Sequence, residues 1–405
     1  MKILFISSII PQEYFLCLQA NSKVGIGGAS DVFQKAVLQG LVENEADFDI
    51  ISYPTLGCFP HNYKKIFTPQ GVFEVANGKK GKLRRYCTIL GIKEKSLQWR
   101  AKRDIGKWLK ANNAAEEPVA VLTYNFDTPV MLAVAKLKKQ YPKIVISTIV
   151  TDLVDNIYDF ASNNSFFKRI QQDKLIKYTR KLYPVVNKYI LLTAHMTEKI
   201  PDAKGKYIVV EGIAARKSYD VPSKNPSDIK SLLYTGVLEE FGGVKSLVDA
   251  FLLTTDPSFR LVICGSGILA KYIKEKALND NRIIYKGLVS RDEALKLQRE
   301  STALINPRQP NGNITKYSFP SKTMEYLSSG TPMIGYRLEG ISNEYLEHIY
   351  TVESLDIQAL ADKITEVLSK PQSELDQKAA AAMTFIYENK TAKIQVARII
   401  DFIGL

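Results

Sequence analysis

The segment that spans residues 316–332 concentrates side chains that could bind a phosphorylated ligand. The pattern predicts a helix from residue 321, so that Ser321, Lys322 and Thr323 lie in its first turn. Free N–H groups and the positive end of the helix dipole attract phosphate at such a position. Glu325 lies one turn further on, where a carboxylate can accept two hydrogen bonds from the hydroxyl pair of a ribose. The segment therefore predicts a site for phosphate and sugar hydroxyls, with an ordinary capped helix as the alternative.

Two glycine-rich turns each follow a predicted strand and precede a predicted helix. The first contains Gly27 and Gly28, and the second contains Gly242 and Gly243. Glycine removes the side chain that would block a ligand, and the N–H groups at a helix start can bind an anion. The first turn lacks a clean GxGxxG pattern with a following ribose-binding acid, so a tight turn is its alternative interpretation. For the second turn the alternative is a helix cap.

Short apolar runs that are rich in Val and Ile alternate with helical patterns along the chain. Such runs are typical of parallel strands covered on both faces, and their alternation with helices predicts βαβ units. The strands of a first series are predicted at 3–7, 49–53, 119–123, 144–150, 189–193 and 207–211. The strands of a second series are predicted at 231–236, 260–265, 282–287, 303–306 and 332–335. The helices are predicted at 31–42, 127–139, 243–253, 269–277, 291–300 and 321–329, with a long helical pattern at 376–405.

These two series predict an α/β fold with two Rossmann-like domains. A single core rarely grows beyond about 250–300 residues, and the chain has 405. We place the domains at 1–213 and 214–385, with a polar loop at 221–228 after the boundary. Residues 386–405 would form a C-terminal helix that could cross back to the first domain. Parallel sheets bind ligands at the C-terminal ends of their strands, so the active site is expected in a central cleft that both sheets face.

The composition argues against a metal cluster and against a membrane-spanning segment. Four cysteines and three histidines are scattered without metal-ligand spacing, which also fits a reducing cytosol. No run of about 18 apolar residues is present. The short apolar N-terminus, residues 3–10, is interpreted as a buried strand rather than a signal peptide. We therefore expect a cytoplasmic protein without a bound metal.

The excess positive charge is concentrated in the first half of the chain. Residues 1–215 carry a net charge of +12 and residues 216–405 carry +1, while 64–110 alone carry +11. Between 79 and 110, cations alternate with apolar residues and with both tryptophans, which is typical of basic amphipathic helices on an anionic membrane. Nucleic-acid binding is a competing interpretation of this segment, but no recognition motif accompanies it. The other alternative is a basic helix face exposed to solvent. The predicted membrane-binding residues are Lys79, Lys80, Lys82, Arg84, Arg85, Trp99, Arg100, Arg103 and Trp108.

Residues 231–337 resemble the nucleotide-binding domain of the retaining family-4 glycosyltransferases, which have the GT-B fold. The resemblance rests on YTGVLEEFGGVKSLVDAF, LVICGSG, IIYKGLVSRDEALKLQREST, INPR and YSFPSKTMEYLSSGTPMI, in the family's order. The first half is similar through the glycine-rich loop, residues 149–158 and residues 187–200. The resemblance implies an acceptor-binding first domain and a donor-binding second domain. The whole chain is similar to a bacterial exopolysaccharide or capsule branch of the family.

The resemblance assigns roles to matching positions and also exposes departures. The second glutamate of the family's E-x7-E motif, which binds the donor ribose, matches Glu325, but Tyr317 stands in place of the first glutamate. Val237 and Gly242 occupy the positions where the family tends to have a phosphate-binding Arg and Lys. We therefore hypothesise that Arg308 and Lys322 replace that pair, since charge-assisted hydrogen bonds are about twice as strong as neutral ones.

Further donor-site residues follow from the same resemblance. The turn with Gly265 and Gly267 would admit the nucleotide, and the backbone near Leu288 would hold its base. Asp152, at the predicted end of a strand, could orient the acceptor or stabilise an oxocarbenium charge, although a helix N-cap is an equal alternative. Tyr317 is the second candidate catalytic residue. The remaining predicted donor-binding residues are Arg308, Ser318, Phe319, Pro320, Ser321, Lys322, Thr323 and Glu325.

The implied function is the transfer of a hexosyl or deoxyhexosyl group, with retention and without metal. A nucleotide-sugar, foremost a UDP-sugar, would be the co-substrate, and no other cofactor is expected. The acceptor would be a glycan or an undecaprenyl-linked oligosaccharide at the inner face of the cytoplasmic membrane, and nucleic acid is not expected as a partner. Two alternatives stay open. One is a catalytically inactive GT-B subunit that binds glycan or stabilises a partner. The other is a sugar-nucleotide epimerase, which would need paired acids and histidines in the cleft, whereas the chain has three histidines.

Overall fold

The computed structural model describes residues 1–76, 78–154, 173, 175–214, 228–312 and 314–404. These residues form two compact units. The first contains residues 1–213 and the C-terminal segment from residue 392, and the second contains residues 214–391. Of the segments discussed above, residues 155–158 and 221–227 lie outside the described residues.

The first unit is built on an eight-stranded sheet in the order β3-β4-β2-β1-β5-β6-β7-β8. Neighbouring strands are parallel except for β3 and β4, which form an antiparallel pair at one edge. All six side chains of β5 are buried, as expected for a strand covered on both faces. The strands are β1 (Lys2–Ser7), β2 (Phe48–Ser52), β3 (Gly71–Ala76), β4 (Lys79–Leu83), β5 (Val119–Tyr124), β6 (Val145–Val150), β7 (Lys188–Leu191) and β8 (Tyr207–Val209).

The helices of the first unit pack their apolar sides against this sheet. They are α1 (Gln12–Asn21), α2 (Ala29–Glu43), α3 (Lys93–Ala111), α4 (Thr128–Lys138) and, from the end of the chain, α12 (Ala392–Gly404). The approach of α12 to α2 is close at Gly40, where a Cβ would overlap the Ala392 carbonyl and the Val396 side chain. Val396 and Ile399 of α12 are therefore core residues of the first unit.

The second unit contains a parallel sheet in the order β11-β10-β9-β12-β13-β14. The chain moves outward in one direction from β9 and then returns to start the other half at β12. The carboxyl ends of β9 and β12 therefore flank the switch point where open α/β sheets bind ligands. The strands are β9 (Lys230–Thr235), β10 (Phe259–Cys264), β11 (Ile283–Gly287), β12 (Ala303–Asn306), β13 (Met333–Tyr336) and β14 (Ile349–Val352).

Two helices of the second unit begin at residues whose side chains cap them. Ser290 accepts a hydrogen bond from the Glu293 N–H at 3.2 Å and so caps α7. Asp356 does the same for α10 through the Gln358 N–H at 3.1 Å. The helices are α5 (Val244–Leu253), α6 (Ala270–Asn279), α7 (Arg291–Glu300), α8 (Ser321–Leu327), α9 (Asn343–Leu346), α10 (Ile357–Leu368) and α11 (Gln372–Asn389).

Helices α1 and α10 and strand β14 were not predicted from sequence, and two further regions differ from their predicted elements. Residues 79–83 form strand β4 rather than part of an amphipathic helix, because Gly81 packs so closely on Phe73 of β3 that a Cβ would overlap the ring. The C-terminal helical pattern is interrupted between α11 and α12 at Lys390 and Thr391. There Thr391 pairs with Ala214 as an isolated bridge.

Candidate functional site

Lys322 of α8 reaches the carboxyl end of β9. Gly236 follows β9 with a φ of +157°, and a Cβ at this glycine would overlap Cε and Nζ of Lys322. The Lys322 Nζ also lies 5.5 Å from the centre of the Tyr234 ring. The lysine head group is thus held at the switch point of the second sheet, where a ligand is expected.

Arg308 supplies a second cation at the same edge, just after β12. Its Nη2 donates to Ser318 Oγ at 3.4 Å. Among the described residues, no carboxylate lies within ion-pair distance of Arg308 or Lys322. Burial lowers the pKa of Arg308, and burial followed by repulsion from Arg308 lowers the pKa of Lys322, while the nearby Glu325 opposes this. Two partly desolvated cations, with Glu325 nearby but outside ion-pair distance, form a site suited to an anion.

Glu325 lies one turn into α8 and is held by a residue that sequence reasoning missed. The Nε2 atom of Gln298, on α7, donates to Glu325 Oε1 at 2.7 Å. Arg291 Nη2 lies 3.9 Å from the other oxygen, Oε2, and both of these side chains are partly exposed. Gln298 is the buried position of α7, and this burial is visible in the structure but not in a local sequence pattern.

The glycines after the strands let backbone segments approach each other. A Cβ at Gly265 would overlap the Gly236 carbonyl, and one at Gly267 would overlap the Leu238 carbonyl. Gly243, with a φ of +73°, stands equally close to the Pro307 carbonyl. These glycines therefore have a structural role in joining the loops after β9, β10 and β12. Gly242 differs, because a Cβ there would meet its nearest neighbour at an ordinary 3.6 Å.

The loop before α8 carries the remaining predicted donor residues. Tyr317 and Phe319 are buried, and the Phe319 ring packs at 5.0 Å from that of Tyr345. Ser318 Oγ donates to the Ile314 carbonyl at 2.7 Å. A cavity of about 170 Å³ opens beside this loop, and its lining includes Glu240, Phe241, Arg308, Asn311 and Thr315.

The other predicted donor-binding residues lie at the first turn of α8 and after the end of β11. Pro320 precedes the helix without a side-chain cap, Ser321 is exposed, and Thr323 is buried with no hydrogen-bond partner for its Oγ1. Leu288 follows β11 and is 81% exposed. The roles of these four residues in donor binding stay predictions.

Asp152 lies at the carboxyl end of β6, in the first unit. Asn125, which follows β5 in the left-handed region at a φ of +54°, donates to Asp152 Oδ2 at 3.3 Å. The Asn125 Oδ1 accepts from the Thr151 and Asp152 N–H groups at 2.7 and 3.3 Å. Gly27 and Gly28 stand at the start of α2 with φ values of +85° and +87° and open space around them. They therefore belong to the first unit, whereas the other predicted donor-binding residues belong to the second.

The basic segment is divided between buried and exposed residues. Asp104 of α3 is buried, and Arg84 Nε and Arg100 Nε lie 3.2 and 2.9 Å from its Oδ2. Trp108 is also buried, and its Nε1 donates to Asp49 Oδ2 at 2.7 Å. The assignment of Arg84, Arg100 and Trp108 to a membrane surface therefore needs correction, because these side chains are engaged inside the first unit.

The other half of that segment faces solvent. Trp99 is 60% exposed, and the guanidinium of Arg103 lies 4.9 Å from its ring. Lys80, Lys82 and Arg85 are exposed, whereas Lys79 is partly covered by the Phe48 ring at 3.9 Å. Within the described ranges, no helix is long and apolar enough to cross a membrane. The same ranges hold no cluster of His, Cys, Asp and Glu that could bind a metal ion.

Comparison with known proteins shows that part of the chain matches a protein-family model and that the whole chain resembles solved structures. Residues 216–383 match the family model described as glycosyl transferases group 1. A search among curated protein sequences finds no match. The matched residues include β9 to β14 and therefore contain the candidate site of the second unit, with Arg308, Lys322 and Glu325.

Solved structures share the architecture of the complete chain at low sequence identity. The apo form of the lipopolysaccharide outer core galactosyltransferase WaaB is 18% identical, with a TM-score of 0.62, covering 100% of this chain and 99% of that one. A structure described as trehalose-6-phosphate from E. coli bound with UDP-2-fluoro glucose is 11% identical, with a TM-score of 0.65 and the same coverage. A mutant TarM from S. aureus, in complex with Fondaparinux, alpha-GlcNAc-glycerol and UDP, is 12% identical, with a TM-score of 0.55, covering 86% and 66%. The chain has the GT-B fold, and the matched domain together with this fold supports a glycosyltransferase of the GT-B type.

Proposed function

We propose that the second unit binds a nucleotide-diphosphate-sugar and that the enzyme transfers the sugar, with retention, to a glycan acceptor. The observation that carries this proposal is the position of Lys322 and Arg308 at the ends of β9 and β12, without carboxylate partners. A diphosphate is the anion that would compensate two neighbouring cations. Their charge would stabilise the leaving diphosphate, so the proposed reaction needs no metal.

The proposed chemistry places few demands on protein acids and bases. The bond between the anomeric carbon and the diphosphate oxygen breaks, and the acceptor hydroxyl oxygen bonds to that carbon on the same face. The acceptor proton passes to the departing diphosphate. Glu325 would accept hydrogen bonds from the ribose hydroxyls. UDP is our preferred nucleotide, since two of the similar structures hold UDP or UDP-2-fluoro glucose.

The acceptor is proposed to be lipid-linked, in the synthesis of a cell-surface polysaccharide at the inner face of the cytoplasmic membrane. Exposed Leu90, Ile92 and Trp99 lie close in sequence to exposed Arg85 and Arg103. Apolar side chains surrounded by cations suit a peripheral contact with anionic lipid. This face would bring the first unit, with Asp152, to a lipid-linked glycan.

Ligand-induced thermal stabilisation tests the donor site. UDP, GDP and dTDP are added to the complete chain, and a bound nucleotide raises the unfolding temperature because it binds only the folded state. The double variant Arg308→Ala, Lys322→Ala should abolish the shift. A matched control, Lys271→Ala with Lys274→Ala, removes two exposed cations of α6 and should retain it. If the first double variant keeps the full shift, these cations do not bind the diphosphate.

An inactive GT-B subunit remains the second candidate function, because Tyr317 occupies the place of an acidic residue in the motif. Release of UDP from UDP-glucose and UDP-galactose, with and without a lipid-linked acceptor, separates the two candidates. Turnover above the level of the Arg308→Ala, Lys322→Ala variant supports the enzyme. Binding of nucleotide-sugar without turnover supports the inactive subunit.

A further inference from the structure

The side chain of Gln298, on α7, is hydrogen-bonded both to α8 and to the end of β9, next to the candidate donor site. This side chain is completely buried. The Nε2 atom donates to Glu325 Oε1 on α8 at 2.7 Å and lies 3.2 Å from Thr235 Oγ1 at the end of β9. Thr235 in turn is bonded to the Tyr326 hydroxyl at 3.0 Å through both its N–H and its Oγ1. The amide is therefore the direct link between the sheet and the Glu325 carboxylate.

The negative charge of the Glu325 carboxylate determines the orientation of the Gln298 side-chain amide. Nε2 points at the carboxylate, because the reverse rotation would place the amide oxygen against Glu325 Oε1. In the observed orientation the Gln298 Oε1 is buried and has no hydrogen-bond partner. An unpaired buried oxygen is costly. The bonds that Nε2 donates must offset that cost, and the shorter of them goes to the Glu325 carboxylate.

The consequence for Glu325 is that its two oxygens differ. Oε1 accepts a hydrogen bond from the buried Gln298, whereas among the described residues the ion pair at Oε2 is with Arg291, at 3.9 Å on a side chain that is mostly exposed. We propose that Gln298 is a positioning residue: it fixes the rotamer of Glu325 so that Oε2 is presented to the ribose hydroxyls of the donor. This inference rests on the proposed function of the donor site.

The test measures ribose recognition rather than binding alone. Dissociation constants for UDP and 2′-deoxy-UDP, and for GDP and 2′-deoxy-GDP, give the discrimination contributed by the 2′-hydroxyl. We expect Gln298→Met to reduce this discrimination about tenfold, the scale of one hydrogen bond to a charged group. The thermal stability of the free protein should change little, because removal of the unpaired Oε1 offsets the loss of the Nε2 hydrogen bonds.

A double-mutant cycle identifies the route of the effect. In a Glu325→Ala background, Gln298→Met should cause no further loss of discrimination, because the residue acts through the carboxylate. Gln395→Met is the matched control, since Gln395 is also completely buried but lies on α12 in the first unit. It should leave the discrimination unchanged.

The possible outcomes distinguish a failure of this inference from a failure of the proposed function. If the unaltered chain binds none of these nucleotides, the proposed function and this inference both fail. If it binds and discriminates, but Gln298→Met discriminates equally well, the inference alone is wrong. Equal losses from Gln298→Met in the presence and absence of Glu325 would also overturn it, since they would indicate a general structural effect.

Discussion

The ammonium group of Lys322 occupies the space that a side chain on Gly236 would need. The two residues are distant in sequence, but α8 and the end of β9 bring them together at the switch point of the second sheet. Glycine is favoured at residue 236 because its φ of +157° is one that other residues rarely adopt. A side chain there would also displace the flexible end of Lys322 from its place.

Replacing this glycine should therefore affect stability and ligand binding together. We expect Gly236→Ala to destabilise the protein by about 1–3 kcal/mol through backbone strain and to weaken UDP binding, because the methyl group displaces Lys322. Gly106→Ala, on α3 of the first unit, is the control. A Cβ there meets its nearest neighbour at an ordinary 3.4 Å, so this change should not destabilise the helix and should leave UDP binding unchanged. Thermal unfolding with and without UDP measures both effects. Equal behaviour of the two variants would contradict the prediction.

The lowered pKa of Lys322 predicts a conflict between stability and binding. Burial lowers this pKa below its unfolded value of 10.5, so the charged lysine destabilises the free folded state at neutral pH. Lys322→Met should therefore raise the unfolding temperature of the free protein, while it weakens UDP binding about tenfold or more through loss of a charged hydrogen bond.

The pH dependence of the same variant has a definite sign. Between the folded pKa and 10.5, the unfolded chain binds more protons than the folded chain, so the stability of the unaltered protein rises with pH in that window. The advantage of Lys322→Met should thus decrease as the pH approaches 10.5. Chemical denaturation of both proteins at pH 7 to 10.5 measures this, with Lys274→Met as an exposed control. An advantage that grows with pH would disprove the assignment.

The sequence predicted the elements that local patterns determine. α7 and β12 have the predicted bounds, 291–300 and 303–306, because a capping serine, a helical period and a short apolar run all act within one segment. The hairpin β3–β4 was missed. Lysine-rich edge strands resemble basic helices in composition, and the packing of Gly81 on Phe73 that identifies the strand is not visible in a local pattern.

In the candidate site, too, local sequence patterns predicted some residues and not others. Glu325 and Lys322 could be selected from their place near a predicted helix start. Gln298 could not be connected with Glu325, because its partners are 27 and 63 residues away in sequence and meet it only through the sheet order. Likewise, both tryptophans belong to one amphipathic pattern, yet Asp49 of β2 holds Trp108 in the core while Trp99 faces solvent.

That difference between the tryptophans gives a direct test of the membrane proposal. In Trp108→Phe the only remaining tryptophan is the exposed Trp99, and in Trp99→Phe it is the buried Trp108. We expect brominated phosphatidylglycerol vesicles to quench the fluorescence of the first variant at low salt, and quenching should decline as salt screens the cations. The second variant should be quenched little. Absence of quenching in both variants would count against membrane contact by this face.

Asp152 provides the last prediction, since its carboxylate is held at the end of β6 by the strained Asn125 and by neighbouring Thr151. If it orients the acceptor or stabilises positive charge in the transition state, Asp152→Asn should lower the turnover of sugar transfer by about 100-fold, the scale of one electrostatic contact in a transition state. Binding of UDP should be unchanged, because the proposed phosphate and ribose ligands Arg308, Lys322 and Glu325 belong to the second unit. Asn125→Ala should reduce turnover less, while the exposed Glu116→Gln serves as the control. Transfer assays combined with UDP dissociation constants decide the matter: a loss of UDP affinity that matches the loss of turnover would assign Asp152 to donor binding or folding instead.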